Sequence, residues 1–311
     1  MPTTRRQFLE TTLGVAATAA LASPAASPYR IGITTNTRGG WENDVFLSFR
    51  EAREAGYRNV ESFLHYFTSY MDKPQELQKK IDEIGVRFVT ISNDGTIDTH
   101  FEDPTRHEKI IEQHIQLVRF IKKFGCDHLK INSGARRETG TTAEDLKHIA
   151  AVLDEVGKRT NAEGLKFAIH AHMWSQIENR RETEFIMENT DPKQVWFVLD
   201  TGHITMAGMD PVALAKQLGH RIIEFHLKDV KPEYRGGARQ RIVHHEPMTH
   251  PVFFPLGEGG VDFKGLMAHL ENTAWRGWLT VELDSSPFKP PKESARISLR
   301  YLEDKLGLSV T

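Results

Sequence analysis

Seven side chains in the C-terminal half of the chain have the types and spacing for metal-assisted acid–base chemistry: His170, His172, Asp200, His203, His226, Lys228 and Glu282. They fall in four windows, IHAHM (Ile169 to Met173), LDTGH (Leu199 to His203), EFHLKD (Glu224 to Asp229) and LTVELD (Leu279 to Asp284). The clearest setting is Val195 to Leu199, five apolar or aromatic residues without a polar interruption, which reads as a strand buried on both faces. The chain turns polar at Asp200, so the reactive groups stand at C-terminal strand ends, where α/β folds gather their chemistry. Side chains alternate along a strand, so His170 shares a face with His172 and His226 with Lys228. One group from each of four successive strands, His170, Asp200, His226 and Glu282, can then surround one divalent ion. Imidazole and carboxylate donors without thiolate suit Mn²⁺, Zn²⁺, Co²⁺ or Fe²⁺, with Mn²⁺ the first expectation. Earlier strands add Glu61, Lys130 and Asn132, and the last adds Asp284.

The elements that must position these groups alternate regularly. Strands are expected over Tyr29–Asn36, Tyr57–Phe63, Val86–Asn93, Cys126–Asn132, Leu165–Met173, Val195–Asp200, Ile222–Val230 and Trp278–Asp284. Helices are expected over Asp44–Ala55, Pro74–Ile84, Pro104–Phe124, Thr142–Ala162, a stretch around Glu182–Glu188, one opened by Asp210 and Pro211, Phe263–Trp275 and Lys292–Lys305. Asp103-Pro104 and Asp210-Pro211 are cap-then-proline starts, and Gly56, Gly85 and Gly125 are stops. Eight such pairs are the arithmetic of an α/β protein with one (β/α)8 TIM barrel domain, assigned to residues 27–311. No Gly-x-Gly-x-x-Gly follows a strand, so a nucleotide-binding open sheet has no support.

The connection Lys231 to Gly260 exceeds a plain joint and carries Arg235, Arg239, Arg241, His244, His245 and His250, with Gly236-Gly237 as a hinge. It is expected to cover substrate. Trp41 and Trp174 are expected at the same rim, able to stack on a sugar face.

With 39% hydrophobic and 26% charged residues, a net charge of −2 and a pI near 6.7, the chain suits a globular protein and offers no bulk attraction to nucleic acid or anionic lipid. The lone cysteine, Cys126, rules out an internal disulfide and a Cys-based metal site. Residues 1–26 read as an export signal. Thr4-Arg5-Arg6-Gln7-Phe8-Leu9 precedes a weakly apolar run, Thr12 to Ala22, with cleavage expected at Ala20-Leu21-Ala22 or near Ala26. The match to a twin-arginine signal, with Glu10 where Lys is commoner, predicts a periplasmic or extracellular protein, passed folded and metal-loaded to the twin-arginine export machinery. No other apolar run is long enough to span a membrane. The chain is compatible with a homo-oligomer.

With PLGEGGVDF (Pro255 to Phe263) added, the order and spacing of these motifs from about residue 29 to 306 resembles the sugar phosphate isomerase/epimerase family, the xylose-isomerase-like TIM barrels. The resemblance implies a divalent ion at Asp200, His226 and Glu282, with His170 at the fourth position. Ketose 3-epimerases of that family carry a glutamate there, paired as acid and base with the eighth-strand glutamate; the imidazole here departs from that relay. A cation chelated by a sugar's carbonyl and neighbouring hydroxyl stabilises the enediolate formed on loss of the alpha proton. In that chemistry Glu282 is ligand and base, His172 and His203 transfer protons or contact hydroxyls, and Lys130 or Lys228 polarises an oxygen. The leading expectation is isomerisation or epimerisation of an unphosphorylated sugar. Elimination or hydrolysis on a 3-keto-glycoside, or inosose-dehydratase-like elimination, competes, favoured by His170 and the export signal. A non-catalytic sugar-binding barrel is a third reading. A DNA-repair endonuclease on a similar barrel finds no support in 40 basic against 42 acidic residues.

Overall fold

A computed structural model describes residues 28–236, 248–249 and 251–309. Residues 1–26, read above as an export signal, and residues 237–247 and 250 of the Lys231–Gly260 connection, which include Arg239, Arg241, His244, His245 and His250, lie outside the described residues. The strands are β1 (Arg30–Thr34), β2 (Asn59–Phe63), β3 (Arg87–Ser92), β4 (His128–Asn132), β5 (Lys166–His170), β6 (Val195–Asp200), β7 (Ile222–Leu227), β8 (Asp229–Val230), β9 (Phe253–Phe254) and β10 (Trp278–Val281). Eight of them form one parallel sheet in the order β3-β2-β1-β10-β7-β6-β5-β4, a (β/α)8 barrel. β8 and β9 pair antiparallel where the connection after β7 leaves and returns.

The outer helices begin where sequence chemistry provides a cap. Asp44 accepts from the amides of Phe46 and Leu47, and Thr142 and Asn179 form reciprocal capping boxes with Asp145 and Glu182. Their apolar faces cover the outward residues of the sheet, among them Phe167, Phe197, Phe225, Leu129, Ile131 and Leu279, all buried. Each such side chain, taken out of water, stabilises the fold by roughly 1.5–3 kcal/mol.

The barrel closes by an unusual route. Among the described residues no backbone ladder joins β3 to β4. Side chains of β3 span the gap instead: Thr90 Oγ1 donates to the His128 carbonyl at 2.9 Å and Ser92 Oγ to that of Lys130 at 3.1 Å. Asn93 completes the seam, giving its amide to Asn132 O at 3.1 Å and accepting from Asn132 N at 2.7 Å.

The interior is polar along its axis. Inward side chains include Glu61, His128, Lys130, Glu224 and His226, each at most 1% exposed. At the N-terminal end His128 lies between Asp127 at 2.7 Å and Glu224 at 2.9 Å. Burial alone would lower its pKa, but the hydrogen bonds its ring donates to both carboxylates outweigh burial and lift it to about 9.

Several expected bounds shift. The strand drawn to Met173 stops at His170, the one drawn to Val230 breaks after Leu227, and the one drawn to Asp284 stops at Val281, because the chain bends there to turn side chains into the mouth. The Phe263–Trp275 helix ends at Glu271, and Thr201–Met206 adds an unexpected short helix. Trp41 is not a rim platform: it is 1% exposed and its indole donates to Glu51 at 2.7 Å, fixing it in the core. Cys126 is buried just ahead of β4, and burial pushes its thiol pKa up, leaving it unreactive.

Two measurements test this account. Thr90→Val with Ser92→Ala removes both hydroxyl bridges and strands two carbonyls, so the urea midpoint should fall by the equivalent of about 2 kcal/mol; an unchanged midpoint would mean the seam holds without them. The His128 contribution is whole below about pH 6.5 and is lost as pH rises through about 9. Wild-type stability should therefore drop, by on the order of 3 kcal/mol, across that window relative to His128→Gln.

Candidate active site

Strand register decides which groups meet at the mouth. It sets Asn132 beside His170 and Asp200 beside His226. Glu282 follows β10 directly, on the face that Thr280 shares with His226. His170, Asp200, His226 and Glu282 thereby come together in the buried interior, each offering one donor atom within 4.8 Å of the others.

Their hydrogen bonds show which atoms are left for a ligand. His170 Nδ1 pairs with Asn132 Oδ1 at 2.7 Å, so that nitrogen carries the proton and Nε2 presents its lone pair. Nε2 lies 3.5 Å from Asp200 Oδ2, and both atoms are buried without a hydrogen-bond partner. Two acceptors facing each other out of water repel unless a cation lies between them. His226 uses both ring nitrogens, Nε2 with Glu61 at 3.1 Å and Nδ1 with Glu282. Burial would lower its pKa, but these two carboxylates hold it well above the usual imidazole value. Nδ1, 3.9 Å from Asp200 Oδ2 and facing the same centre, therefore becomes a ligand only when an ion displaces its proton. Glu61 is held in turn by Lys130 at 2.8 Å, the outer carboxylate that orients a metal-binding imidazole. The donor set therefore fits a divalent ion.

The electrostatics record the same crowding. Burial pushes the Asp200 carboxyl up to about 7; the Lys228 charge opposes this and Glu282 adds to it. Burial would raise Glu282 as well, yet Lys228 and His226 hold it well below the usual carboxylate range. Lys228 would be lowered by burial, but Asp200, Asp284 and Glu282 raise it, so its ammonium persists.

A cavity of about 190 Å³ opens onto the cluster, bordered by Lys130, Asn132, His170, His172, Glu282 and Asp284, with Phe63, Trp174, Val252 and Phe253 as apolar walls. His172, beyond β5, donates Nδ1 to the Met173 carbonyl at 2.5 Å. Burial and the Lys228 charge lower its pKa to about 4, so a neutral Nε2 serves as acceptor. Trp174 borders the cavity with φ 65°, the one positive-φ non-glycine residue among those described, a strain of the kind that gathers at functional sites. His203 and Lys228 do not border the cavity; they lie behind its wall, Lys228 Nζ 2.8 Å from His203 Nε2. Lys228 does not pair with Asp229, whose carboxylate accepts instead from the amides of Val230, Gly257, Gly259 and Val261 and pins the returning connection.

Sequence reasoning left Asn132 and Asp284 without a role. Asn132 fixes the His170 tautomer, and Asp284 holds Lys228 at 2.7 Å. Their strand-end positions were the available signal. Asn36 and Arg38, also on the cavity border, follow the first strand and carried none.

A (β/α)8 barrel with a buried imidazole–carboxylate cluster at its C-terminal mouth defines a class of metal-assisted enzymes. Residues 49–305 match the xylose isomerase-like TIM barrel family, and the chain belongs to it. Inosose dehydratase of Lactiplantibacillus plantarum is 32% identical over 167 residues, 53% of this chain and 56% of that protein. The Salmonella typhimurium inosose dehydratase is 35% identical over 156 residues, 50% and 52% of the two chains. The chain spans about half the length of these curated relatives. Among solved structures, a sugar phosphate isomerase/epimerase from Parabacteroides distasonis superposes with a TM-score of 0.70 at 17% identity, covering 92% of this chain and 98% of that one. D-psicose 3-epimerase of Clostridium cellulolyticum with D-tagatose gives 0.70 at 15%, covering 90% and 99%. The IolI protein with a bound zinc atom gives 0.68 at 17%, covering 88% and 97%. These structural likenesses establish the fold.

Proposed function

We propose that the protein is a divalent-metal-dependent lyase that eliminates water from a small cyclic keto-polyol. The observation that carries this reading is the buried convergence of His170, Asp200, His226 and Glu282, with His170 Nε2 facing Asp200 Oδ2 at 3.5 Å and making no hydrogen bond, beside a cavity sized for a single ring. His170, Asp200, His226 and Glu282 would hold the ion, which supplies a Lewis acid for the substrate carbonyl. Glu282 takes the proton alpha to that carbonyl. His172, neutral with its acceptor nitrogen toward the cavity, receives a hydrogen bond from a ring hydroxyl and orients the ring. Lys130, braced by Glu61, donates to the departing β-oxygen. As the β C–O bond breaks, the proton on Glu282 passes to the leaving hydroxyl and water departs, so the net change is loss of one water. Trp174, Phe63 and Phe253 keep solvent from the intermediate.

Elimination is favoured over epimerisation because epimerisation needs a second group on the far side of the carbon. His170 occupies the place where a second carboxylate would stand, and its free nitrogen points at Asp200 rather than into the cavity centre. The names of the curated relatives agree with a dehydratase. We also propose that the folded protein is exported by the twin-arginine route, on the strength of Arg5-Arg6 and the apolar run that follows.

Incubation with 2-keto-inositol should yield a product lighter by one water, while a free ketose should return unchanged; an epimer from the ketose, or aglycone from a 3-keto-glucoside alone, would replace the reading. Glu282→Gln should lower kcat about 10²–10⁴-fold with the fold retained. Export predicts that Arg5→Lys with Arg6→Lys confines the protein to the cytoplasmic fraction; an unchanged periplasmic share would refute it.

A further inference from the structure

Behind the cavity wall, Lys228 is fully buried and surrounded as a metal ion would be. Its Nζ lies 2.7 Å from Asp284 Oδ1, 2.8 Å from His203 Nε2, 3.3 Å from Asp200 Oδ2 and 3.4 Å from Glu282 Oε2, with the Phe253 ring 4.8 Å away. Two of these partners, Asp284 and His203, together with His172, form a second group whose donor atoms lie within 4.8 Å of one another. His203 also keeps an unpartnered nitrogen, Nδ1, although it is 1% exposed.

The LDTGH segment is built around this one lysine. Asp200 faces its ammonium. Thr201 Oγ1 donates to the Lys228 carbonyl at 2.7 Å and accepts from its amide at 3.0 Å, fixing the backbone. At Gly202 a Cβ would lie 2.7 Å from Lys228 Cγ, so only glycine lets the stem pass. His203 receives the ammonium at the far end. Four consecutive residues thus address one lysine at the exit of β7, Thr201 through its backbone and the other three through its side chain.

We propose that Lys228 is a resident cation occupying the second position of a two-cation site, so that the protein binds one divalent ion where its donor groups could hold two. The inference rests on the metal-dependent reading given above. Charge balance supports it: Asp200, Glu282 and Asp284 against one ammonium leave two negative charges, which a single divalent ion cancels. The contacts to Asp284 and His203 are hydrogen-bond lengths, longer than the roughly 2.0–2.2 Å of metal ligation, so removing the ammonium leaves donors able to contract onto an ion.

The test counts bound zinc by elemental analysis after chelator stripping and dialysis of the full chain against excess Zn²⁺. Wild type should retain one zinc per chain, Lys228→Ala two, and Lys228→Ala with Asp284→Asn one again. Two in wild type, or one in a folded Lys228→Ala protein, overturns the inference. Asp284→Asn alone should keep one zinc; loss of it would make Asp284 a ligand of the first ion and also overturn the inference, whether or not the lysine variant folds. No zinc in wild type instead removes the metal-dependent reading itself.

Discussion

Carboxylates crowded out of water must be met charge for charge, and the interior of this barrel is arranged around that requirement. At a separation near 4 Å two charges interact by about 4 kcal/mol at an effective dielectric of 20, several times the value in bulk water. Glu61 is matched by Lys130 and Glu224 by His128, whereas Lys228 meets one of the three charges of the Asp200–Glu282–Asp284 group. An interior filled by branched aliphatic residues would be easier to stabilise. The polar axis persists because the charges hold one another's geometry and leave the His170 Nε2 lone pair facing the Asp200 carboxylate at 3.5 Å.

The same requirement explains how the barrel tolerates its seam. Between β3 and β4 the hydroxyls of Thr90 and Ser92 replace backbone donors, and both side chains lie wholly buried. Side-chain bonds hold carbonyls while letting two strands sit farther apart than a ladder permits. Lys130 and Asn132, which project from β4 into the site, are thereby positioned by their own backbone carbonyls.

Much of this was legible in the sequence. Uninterrupted apolar runs and cap-then-proline starts located eight strands and their helices, and Pro74–Ile84, Val195–Asp200 and the Asp210-capped helix fall where composition places them. Residue type at strand ends picked out the groups that converge. Tautomers and second partners were not legible, because they depend on register: that Asn132 meets His170, or that Glu61 meets His226 from five strands away in the chain, follows from pairing and barrel stagger. Trp41 was misplaced for a related reason. An aromatic in a loop reads alike whether it faces solvent or the core, and only the Glu51 carboxylate waiting for its N–H decides. Lys228 and Asp229, adjacent in the chain, point to opposite sides and find separate partners.

The LDTGH stretch carries the wider lesson about motifs. Taken alone, an aspartate and a histidine three apart invite two direct roles at a reacting centre. In the folded chain only Asp200 reaches the ion-binding group, while Thr201, Gly202 and His203 shape a socket for a side chain belonging to β7's exit. The spacing is set by the geometry of a helix start: Asp200 caps the turn through His203 N at 2.8 Å, which brings Gly202 against the lysine stem and swings His203 over its tip. A substitution at Thr201, Gly202 or His203 therefore acts through Lys228, while one at Asp200 also removes a donor from the ion-binding group. Exchange of the lysine would in turn relieve the demand for glycine at 202, so these positions are constrained together by packing and charge rather than by separate contacts with a substrate.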